Sequence, residues 1–231
     1  MNPQHWPKDF NWGVATSAVQ VEGAYNIDGK SFNIWDHFVR RRNKIAQNEH
    51  HYKANDFYHR YREDILTVKM LNLDSFRFSI SWSRILPNQN AKPNHKGIAF
   101  YNNVINYCLE LGLEPFVTLY HWDLPQYMEN KGGWTNREIV HSFNTFVELC
   151  IREFGDRVQY WIPLNEPLVF TSAGYLLGMH APGRKGFSQF IPAAYHAILA
   201  NASAGNLIKS LNGNLKVGSS FSLTPTIPLN Q

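Results

Sequence analysis

Hydrophobic residues follow two different spacings along the chain, and the two spacings alternate from one segment to the next. Residues 74–81 alternate apolar and polar side chains, with Phe76, Phe78 and Ile80 on one face, which is typical of a half-buried strand. Residues 55–71 carry apolar side chains every three or four positions, which is typical of an amphipathic helix. The same reasoning predicts a strand and turn over residues 10–18, strands over 74–81, 113–120, 160–166 and 215–221, and helices over 55–71, 96–111, 136–154 and 188–211.

The alternation of strand and helix predicts a parallel sheet, because a crossover helix is needed to join parallel neighbours. A doubly wound nucleotide-binding sheet would usually show a Gly-x-Gly-x-x-Gly turn after its first strand, and Gly13 and Gly23 do not form one. Polar and aromatic residues instead gather where successive strands end, which is typical of a (β/α)₈ barrel. We therefore predict an α/β fold, an incomplete TIM barrel with about five strands and four helices, as one partial domain over residues 1–231.

Composition indicates a globular chain and excludes several classes of function. Hydrophobic residues make up 44% and charged residues 17% of the sequence, so disorder is not expected. Much of the net charge of +4 lies in residues 40–44, and one short basic run is typical of a solvated loop rather than a nucleic-acid site. Cys108 and Cys150 lie in helical patterns, which predicts reduced core residues and a cytoplasmic location. Neither a secretory signal nor the ~20 apolar residues of a membrane span is visible.

Residues 161–167, with the sequence WIPLNEP, are the strongest local signal for chemistry. An apolar strand ends there in Asn165 and Glu166, and a proline follows. A carboxyl group at the poorly solvated mouth of a barrel stays protonated more readily, as a general acid acting on a glycosidic oxygen requires. The neighbouring Asn165 can hydrogen-bond a sugar hydroxyl. The alternative for Glu166 is a helix N-cap or an ion-paired carboxylate at a strand end.

Two more predicted strands carry polar residues near their ends. His121 and Trp122 follow the third strand, where a neutral imidazole can donate to a sugar hydroxyl and an indole can pack on a pyranose ring. A buried structural histidine beside a loop tryptophan is the alternative. Arg77 lies within an apolar strand, and a buried arginine needs a partner, so we expect it to pair with a catalytic carboxylate; a purely structural ion pair is the alternative. No cluster of Cys and His has a metal-ligand spacing, so no metal is expected.

Seven motifs, taken in order, make the signal much more specific. They are FNWGVATSAVQVEG at residues 10–23, IWD at 34–36, FRFSISWSR at 76–84, HWDLPQ at 121–126, GGW at 132–134, LNEP at 164–167 and HAPG at 180–183. This series resembles glycoside hydrolase family 1, the β-glucosidase family, over essentially the whole chain. The resemblance implies a retaining β-glycosidase that acts on β-glucosides or β-galactosides and needs no cofactor.

The resemblance also implies roles for individual residues in this sequence. The matching positions are Glu166 as the general acid/base, Gln20, His121 and Asn165 as ligands of the non-reducing sugar, Trp122 as a wall of the sugar pocket, and Arg77 as the neighbour of the nucleophile.

The nucleophile that the resemblance implies has no counterpart in this sequence. Retaining hydrolysis uses two carboxylates about 5–5.5 Å apart, and the family carries the second one in a Glu-Asn-Gly motif on the seventh strand. That motif does not occur here, and Glu166 is the last acidic residue of the sequence. Three interpretations stay open: an inactive fragment, one chain of a split barrel completed by a second chain, or a degenerate homologue that binds carbohydrate without catalysis.

Overall fold

The computed structural model describes residues 6–88, 90 and 92–223, and within them the chain forms a parallel sheet. The strands lie side by side in chain order, and every neighbouring pair is parallel. Arg77 is in register with Ala15 on one side and Phe116 on the other. The strands are β1 (Gly13–Ala15), β2 (Ser75–Ser79), β3 (Glu114–Tyr120), β4 (Tyr160–Leu164) and β5 (Lys216–Val217).

A long helix joins each strand of the described residues to the next, as predicted. Gly112 follows the second of these helices with φ 67°, a left-handed backbone that glycine adopts without a steric penalty. The crossover helices are α1 (Phe57–Met70), α2 (His95–Glu110), α3 (Glu138–Phe154) and α4 (Phe187–Leu211). Shorter helical segments are Ala18–Val21, Ile34–Phe38, Trp82–Ile85, Gln126–Glu129 and Pro167–Thr171, with 3₁₀ turns at Ala46–Asn48 and Gly133–Thr135 and a π turn at Ser172–Leu176.

The core lies between the sheet and the crossover helices. Val117 and Leu119 of β3 are completely buried, and so are Phe143 and Phe146 of α3. Burying one such side chain contributes about 1.5–3 kcal/mol to folding, so this interface holds the strands in place. Helix α4 packs against α3 and buries a row of small residues, namely Ala193, Ala197, Ala200 and Ala204.

A buried ion pair holds the segment that follows β1. Arg84 Nη2 lies 3.0 Å from Glu22 Oε2, and both side chains are almost completely buried. The Tyr101 hydroxyl donates to the other oxygen of Glu22 and accepts a hydrogen bond from the Ser81 amide. Because Glu22 directly follows the helical turn that carries Gln20, this network fixes that turn relative to the sheet.

The first and last strands are shorter than predicted. The pattern predicted extended structure over residues 10–18 and 215–221, but the ladders cover only Gly13–Ala15 and Lys216–Val217. Each of these strands has one neighbour among the described residues, so only one side of its backbone is paired. Side chains at both edges are open to solvent, since Val14 is 37% exposed and Phe221 is 61% exposed.

Other expectations from composition concern the cysteines, the basic run and membrane spans. Cys108 and Cys150 are free and buried, as predicted, and burial raises the pKa of both thiols, to about 12 for Cys108. The basic run at residues 40–44 is exposed, as predicted. Within the described ranges, no helix combines the length and the apolar character that crossing a bilayer requires.

Candidate active site

Four of the predicted site residues meet at the carboxyl-terminal ends of the strands. Arg77 lies in β2, His121 directly follows β3, and Asn165 and Glu166 directly follow β4. The carboxyl-terminal ends of parallel strands lie side by side, which is why residues so far apart in sequence come together. Gln20 lies in the helical turn that follows β1.

A chain of hydrogen bonds joins Arg77, Asn165 and His121. Arg77 Nη2 donates to Asn165 Oδ1 at 2.6 Å, which fixes the orientation of the Asn165 amide. The amide nitrogen then lies 3.1 Å from His121 Nε2 and 3.3 Å from Glu166 Oε2. The Asn165 amide can donate to His121 only when Nε2 carries no proton, which corresponds to the Nδ1–H tautomer of the neutral ring. His121 Nδ1 makes no hydrogen bond to a described residue, and donation from the imidazole to a sugar hydroxyl stays a prediction.

The electrostatics of the network favour a neutral imidazole beside a charged guanidinium. Burial lowers the pKa of His121 to about 4, and the positive charge of Arg77 acts in the same direction. Burial also lowers the pKa of Arg77, while the carboxylate of Glu166 opposes this effect. His121 is thus uncharged at neutral pH and can serve as a hydrogen-bonding group.

Arg77 does not form the carboxylate pair expected from the sequence. Besides Asn165, its acceptors are Thr118 Oγ1, at 2.8 Å from Nε, and Ser220 Oγ, at 3.5 Å from Nη1. In the part of the chain that the structure describes, no carboxylate oxygen lies within 4.0 Å of this guanidinium. Glu166, the acid nearest in sequence to Asn165, contacts the Asn165 amide, and the nucleophile that the resemblance implies beside Arg77 has no counterpart in the sequence.

The backbone of Glu166 holds this residue at the carboxyl-terminal end of β4. Its φ of 47° and ψ of 63° lie in the left-handed region, which costs a non-glycine residue of order 1 kcal/mol. The Glu166 amide donates to the Ser220 carbonyl at 2.9 Å. The side chain is partly exposed and makes no capping hydrogen bond to the helix Pro167–Thr171 that follows it. Glu166 thus occupies the N-cap position of that helix without capping it through its side chain, and the Asn165 amide is the hydrogen-bond partner of its carboxylate among the described residues.

A cavity of about 500 Å³ lies beside this network. Gln20, His121 and Trp122 line it, together with Trp35 and His180. The His180 ring bridges the two tryptophans, with its centroid 5.5 Å from each of theirs. The volume lies in the range of pockets that bind small organic ligands, and aromatic rings are the surfaces on which such ligands pack.

The predicted site residues thus fall into two groups that share His121. Arg77, Asn165 and Glu166 belong to the hydrogen-bonded network and do not line the cavity, whereas Gln20 lines the cavity. Trp122 lines the cavity and contacts the network, because its indole nitrogen donates to the Asn165 carbonyl at 2.8 Å. Trp122 has φ 75°, so this residue also adopts a strained left-handed backbone at the site.

Four further residues take part to which the sequence analysis assigned no role. Thr118 and Ser220 hold Arg77, and Trp35 and His180, which lie in the IWD and HAPG motifs, contribute aromatic rings to the cavity wall. A signal existed for Thr118, since a polar residue inside an otherwise apolar strand needs a partner. Among the described residues, His, Cys, Asp and Glu side chains do not form a group of three or more that could bind a metal ion.

Comparison with known proteins identifies what this arrangement is similar to. Residues 2–231 match the sequence model of glycosyl hydrolase family 1. The chain is 42% identical to beta-glucosidase A of Acetivibrio thermocellus over 226 residues, which are 98% of this chain and 50% of that protein. It is 40% identical to 6-phospho-beta-glucosidase GmuD of Bacillus subtilis over 224 residues, which are 96% of this chain and 48% of that protein.

Solved structures agree with the sequence matches. The beta-glucosidase from Thermotoga maritima in complex with galacto-hydroximolactam is 39% identical, with a TM-score of 0.95 over 98% of this chain and 52% of that chain. The same enzyme in complex with methoxycarbonyl-substituted glucoimidazole is 41% identical, with a TM-score of 0.92 over 94% of this chain and 49% of that chain. The fold is thus the predicted incomplete (β/α)₈ barrel, and the chain spans about half the length of the curated relatives it matches.

Proposed function

Since this chain belongs to glycosyl hydrolase family 1, we propose that it supplies the acid/base half of the active site of a retaining β-glycosidase. The substrates are β-glucosides or β-galactosides, and the bond hydrolysed is the O-glycosyl bond. The observation that supports this proposal best is the network in which Arg77 orients Asn165, and Asn165 in turn contacts both His121 and Glu166.

Glu166 has the two proton-transfer roles. Its carboxyl group protonates the glycosidic oxygen as the leaving group departs, and its carboxylate then removes a proton from the water that releases the sugar. Its partial exposure and the lack of a capping bond leave the side chain available for both steps. Asn165 and His121 hold the sugar hydroxyls, and Gln20 and Trp122 hold the same ring from the cavity side.

The nucleophile comes from polypeptide outside the printed sequence, either a continuation of this chain or a second chain. A retaining mechanism places the two carboxyl groups about 5–5.5 Å apart, and the sequence has no acidic residue after Glu166. The guanidinium of Arg77 is surrounded by neutral acceptors within the described residues, which supports a carboxylate arriving beside it from elsewhere.

The test is to assay this chain with and without a polypeptide corresponding to the other half of the barrel, on 4-nitrophenyl β-D-glucoside. We expect negligible turnover from the chain alone and measurable turnover from the mixture. Glu166→Gln should lower the rate of the mixture about 10²- to 10⁴-fold, the usual contribution of general acid/base catalysis. Glu148→Gln, on the exposed face of α3, is the matched control and should not change the rate. Full activity of the chain alone would contradict the proposed source of the nucleophile.

A second candidate function is carbohydrate binding without catalysis. It is favoured by the cavity, which Gln20, His121 and Trp122 line but Glu166 does not. Calorimetry of this chain with glucose or cellobiose at millimolar concentration separates the two functions. Binding without any turnover in the complemented mixture would support the non-catalytic function, and no heat would count against it.

A further inference from the structure

A further imidazole lines the cavity, and a buried carboxylate fixes its ring. His51 lines the same cavity as Gln20, and its Nε2 lies 3.0 Å from Asp36 Oδ1. Asp36 has no exposed side-chain surface. Its second oxygen accepts from the Asn33 amide at 2.8 Å and lies 3.4 Å from Lys30 Nζ, so Asp36 itself cannot rotate freely.

The ionisation of Asp36 decides which nitrogen of His51 carries the proton. Burial acts to raise the pKa of Asp36, but the hydrogen bond to His51, the charge of Lys30 and the Asn33 amide outweigh it and hold the pKa below its usual value. An ionised carboxylate only accepts hydrogen bonds, so Nε2 of His51 must donate. A ring that carries one proton, on Nε2, leaves Nδ1 as an acceptor, and Nδ1 makes no hydrogen bond to any residue that the structure describes.

We propose that His51 is a substrate-binding residue whose Nδ1 accepts a hydrogen bond from a hydroxyl group of the sugar in this cavity. The inference rests on the proposed function, because it assumes that the ligand at Gln20 and His121 is a carbohydrate. A sugar hydroxyl is a donor as well as an acceptor, and a ring nitrogen held by a buried carboxylate is a fixed acceptor for it. His51 is therefore a specificity-determining contact from the loop before α1.

His59 provides a matched control outside the cavity. Its Nδ1 lies 2.7 Å from Asp56 Oδ1, so a carboxylate also contacts this imidazole, but the side chain is 53% exposed and does not line the cavity. His59→Phe removes an imidazole with a carboxylate partner far from the proposed sugar, whereas His51→Phe removes the acceptor and the bond to Asp36.

The first measurement needs no sugar and no second chain. Long-range ¹H–¹⁵N NMR of the purified chain at neutral pH reports the tautomer of each histidine. We expect His51 to be the Nε2–H form, with the proton on the nitrogen that faces Asp36. A ring protonated on Nδ1, alone or together with Nε2, would overturn the proposal, because the nitrogen offered to the ligand would then be a donor.

The second measurement titrates the chain with methyl β-D-glucoside and follows the His51 ring and the side-chain amides of Gln20 and Asn165. We expect all three to shift, and His51→Phe to raise the Kd about two- to tenfold, the range for one net hydrogen bond. His51→Asn, which places Oδ1 near the position of Nδ1, should recover part of the affinity, and His59→Phe should leave it unchanged. Shifts at Gln20 and Asn165 with a silent His51, or an unchanged Kd in His51→Phe, overturn the role of His51 alone. No shift at any of the three overturns the proposed function together with it.

Discussion

Two arginines enter the interior of this molecule, and their charges are compensated in different ways. Arg84 is completely buried and is bonded to the Glu22 carboxylate through Nη2 at 3.0 Å and Nε at 3.1 Å. Arg77 is partly buried and is bonded to neutral oxygens. Burial acts to lower the pKa of both arginines. At Arg84 the charge and hydrogen bond of Glu22, together with two nearby tyrosines, outweigh burial and raise the pKa, whereas the pKa of Arg77 is lowered.

Arg84 therefore carries a charge that is neutralised within the described residues, whereas Arg77 carries one that is not. A buried cation is stable when an anion shares its site, and the Glu22–Arg84 pair satisfies that condition within the chain. No described carboxylate neutralises the positive charge of Arg77, which lies at the carboxyl-terminal ends of the strands next to His121 and Asn165. Such an arrangement suits a group that has to stabilise a carboxylate, which is the role proposed for Arg77 beside the nucleophile.

The largest expected effect comes from removing the counter-charge of Arg84. Glu22→Gln leaves a guanidinium buried without an anion, and breaking a buried pair in this way costs about 3–5 kcal/mol. We expect the free energy of unfolding, measured by urea denaturation and tryptophan fluorescence, to fall by that amount. Arg77→Met is the matched comparison and should cost less, about 1–3 kcal/mol, because the acceptors that it leaves without a partner are neutral. Equal losses in the two variants would show that Arg77 is as structural as Arg84.

Asp123 extends the comparison to a carboxyl group without a cation of its own. It is 1% exposed, neither oxygen has a well-formed hydrogen bond to a described residue, and burial raises its pKa from 3.8 to about 7. A raised pKa means that folding favours the protonated form. The stability due to Asp123 is therefore fully present below pH about 4 and is lost as the pH rises to about 7.

The corresponding prediction concerns the pH dependence of stability. The shift corresponds to at most about 4 kcal/mol, lost between pH 4 and 7 and constant above that range. Asp123→Asn, which resembles the protonated side chain, should remove this part of the pH dependence. The measurement is urea unfolding of both proteins at pH 5 and pH 8. A wild-type protein and a variant with parallel pH profiles would mean that Asp123 is ionised in the folded state.

The parallel fold could be predicted because each strand and crossover helix has a strong internal pattern. The apolar run at residues 113–120 and the helical spacing at residues 136–154 correspond closely to β3 and α3. The ends of β1 and β5 could not be predicted, since pairing at an edge depends on a neighbouring strand and not on the strand's own sequence. Segments of four or five residues, such as Trp82–Ile85, are too short to show a helical period.

The convergence of the site could also be predicted, because parallel strands bring Arg77, His121 and Asn165 to one edge. The acceptors of Arg77 could not be predicted in the same way. Thr118 contacts Arg77 because of the register between β2 and β3, and Ser220 lies beyond the short strand β5. The bond between His51 and Asp36 depends on the path of a loop, which carries no periodic signal.

A smaller effect is expected at the neutral acceptors of Arg77. Thr118→Val keeps the shape of a completely buried side chain but removes the acceptor of the Arg77 Nε–H. Leaving one donor without a partner costs about 1–2 kcal/mol, less than the loss expected for Glu22→Gln. Urea unfolding should show this loss with an unchanged m-value, and Thr118→Ser, which keeps the hydroxyl, should recover most of it. If Thr118→Val were neutral, the orientation of Arg77 would depend on Asn165 and Ser220.

The smallest effect is expected for Arg152, although Glu148 lies closer to Arg152 than Glu22 lies to Arg84. Arg152 Nη2 lies 2.6 Å from Glu148 Oε1, one turn earlier on α3, but the two side chains are 69% and 41% exposed. Water screens this pair, and an exposed i, i+4 pair contributes only about 0.3–0.5 kcal/mol. Arg152→Ala should therefore lower the free energy of unfolding, measured by urea denaturation, by no more than that amount. Raising the salt concentration should reduce the loss further, whereas the cost of Glu22→Gln should hardly change because its site is closed to ions. If Arg152→Ala cost as much as Glu22→Gln, distance rather than burial would decide the strength of these pairs, and the contrast between Arg84 and Arg77 would lose its physical basis.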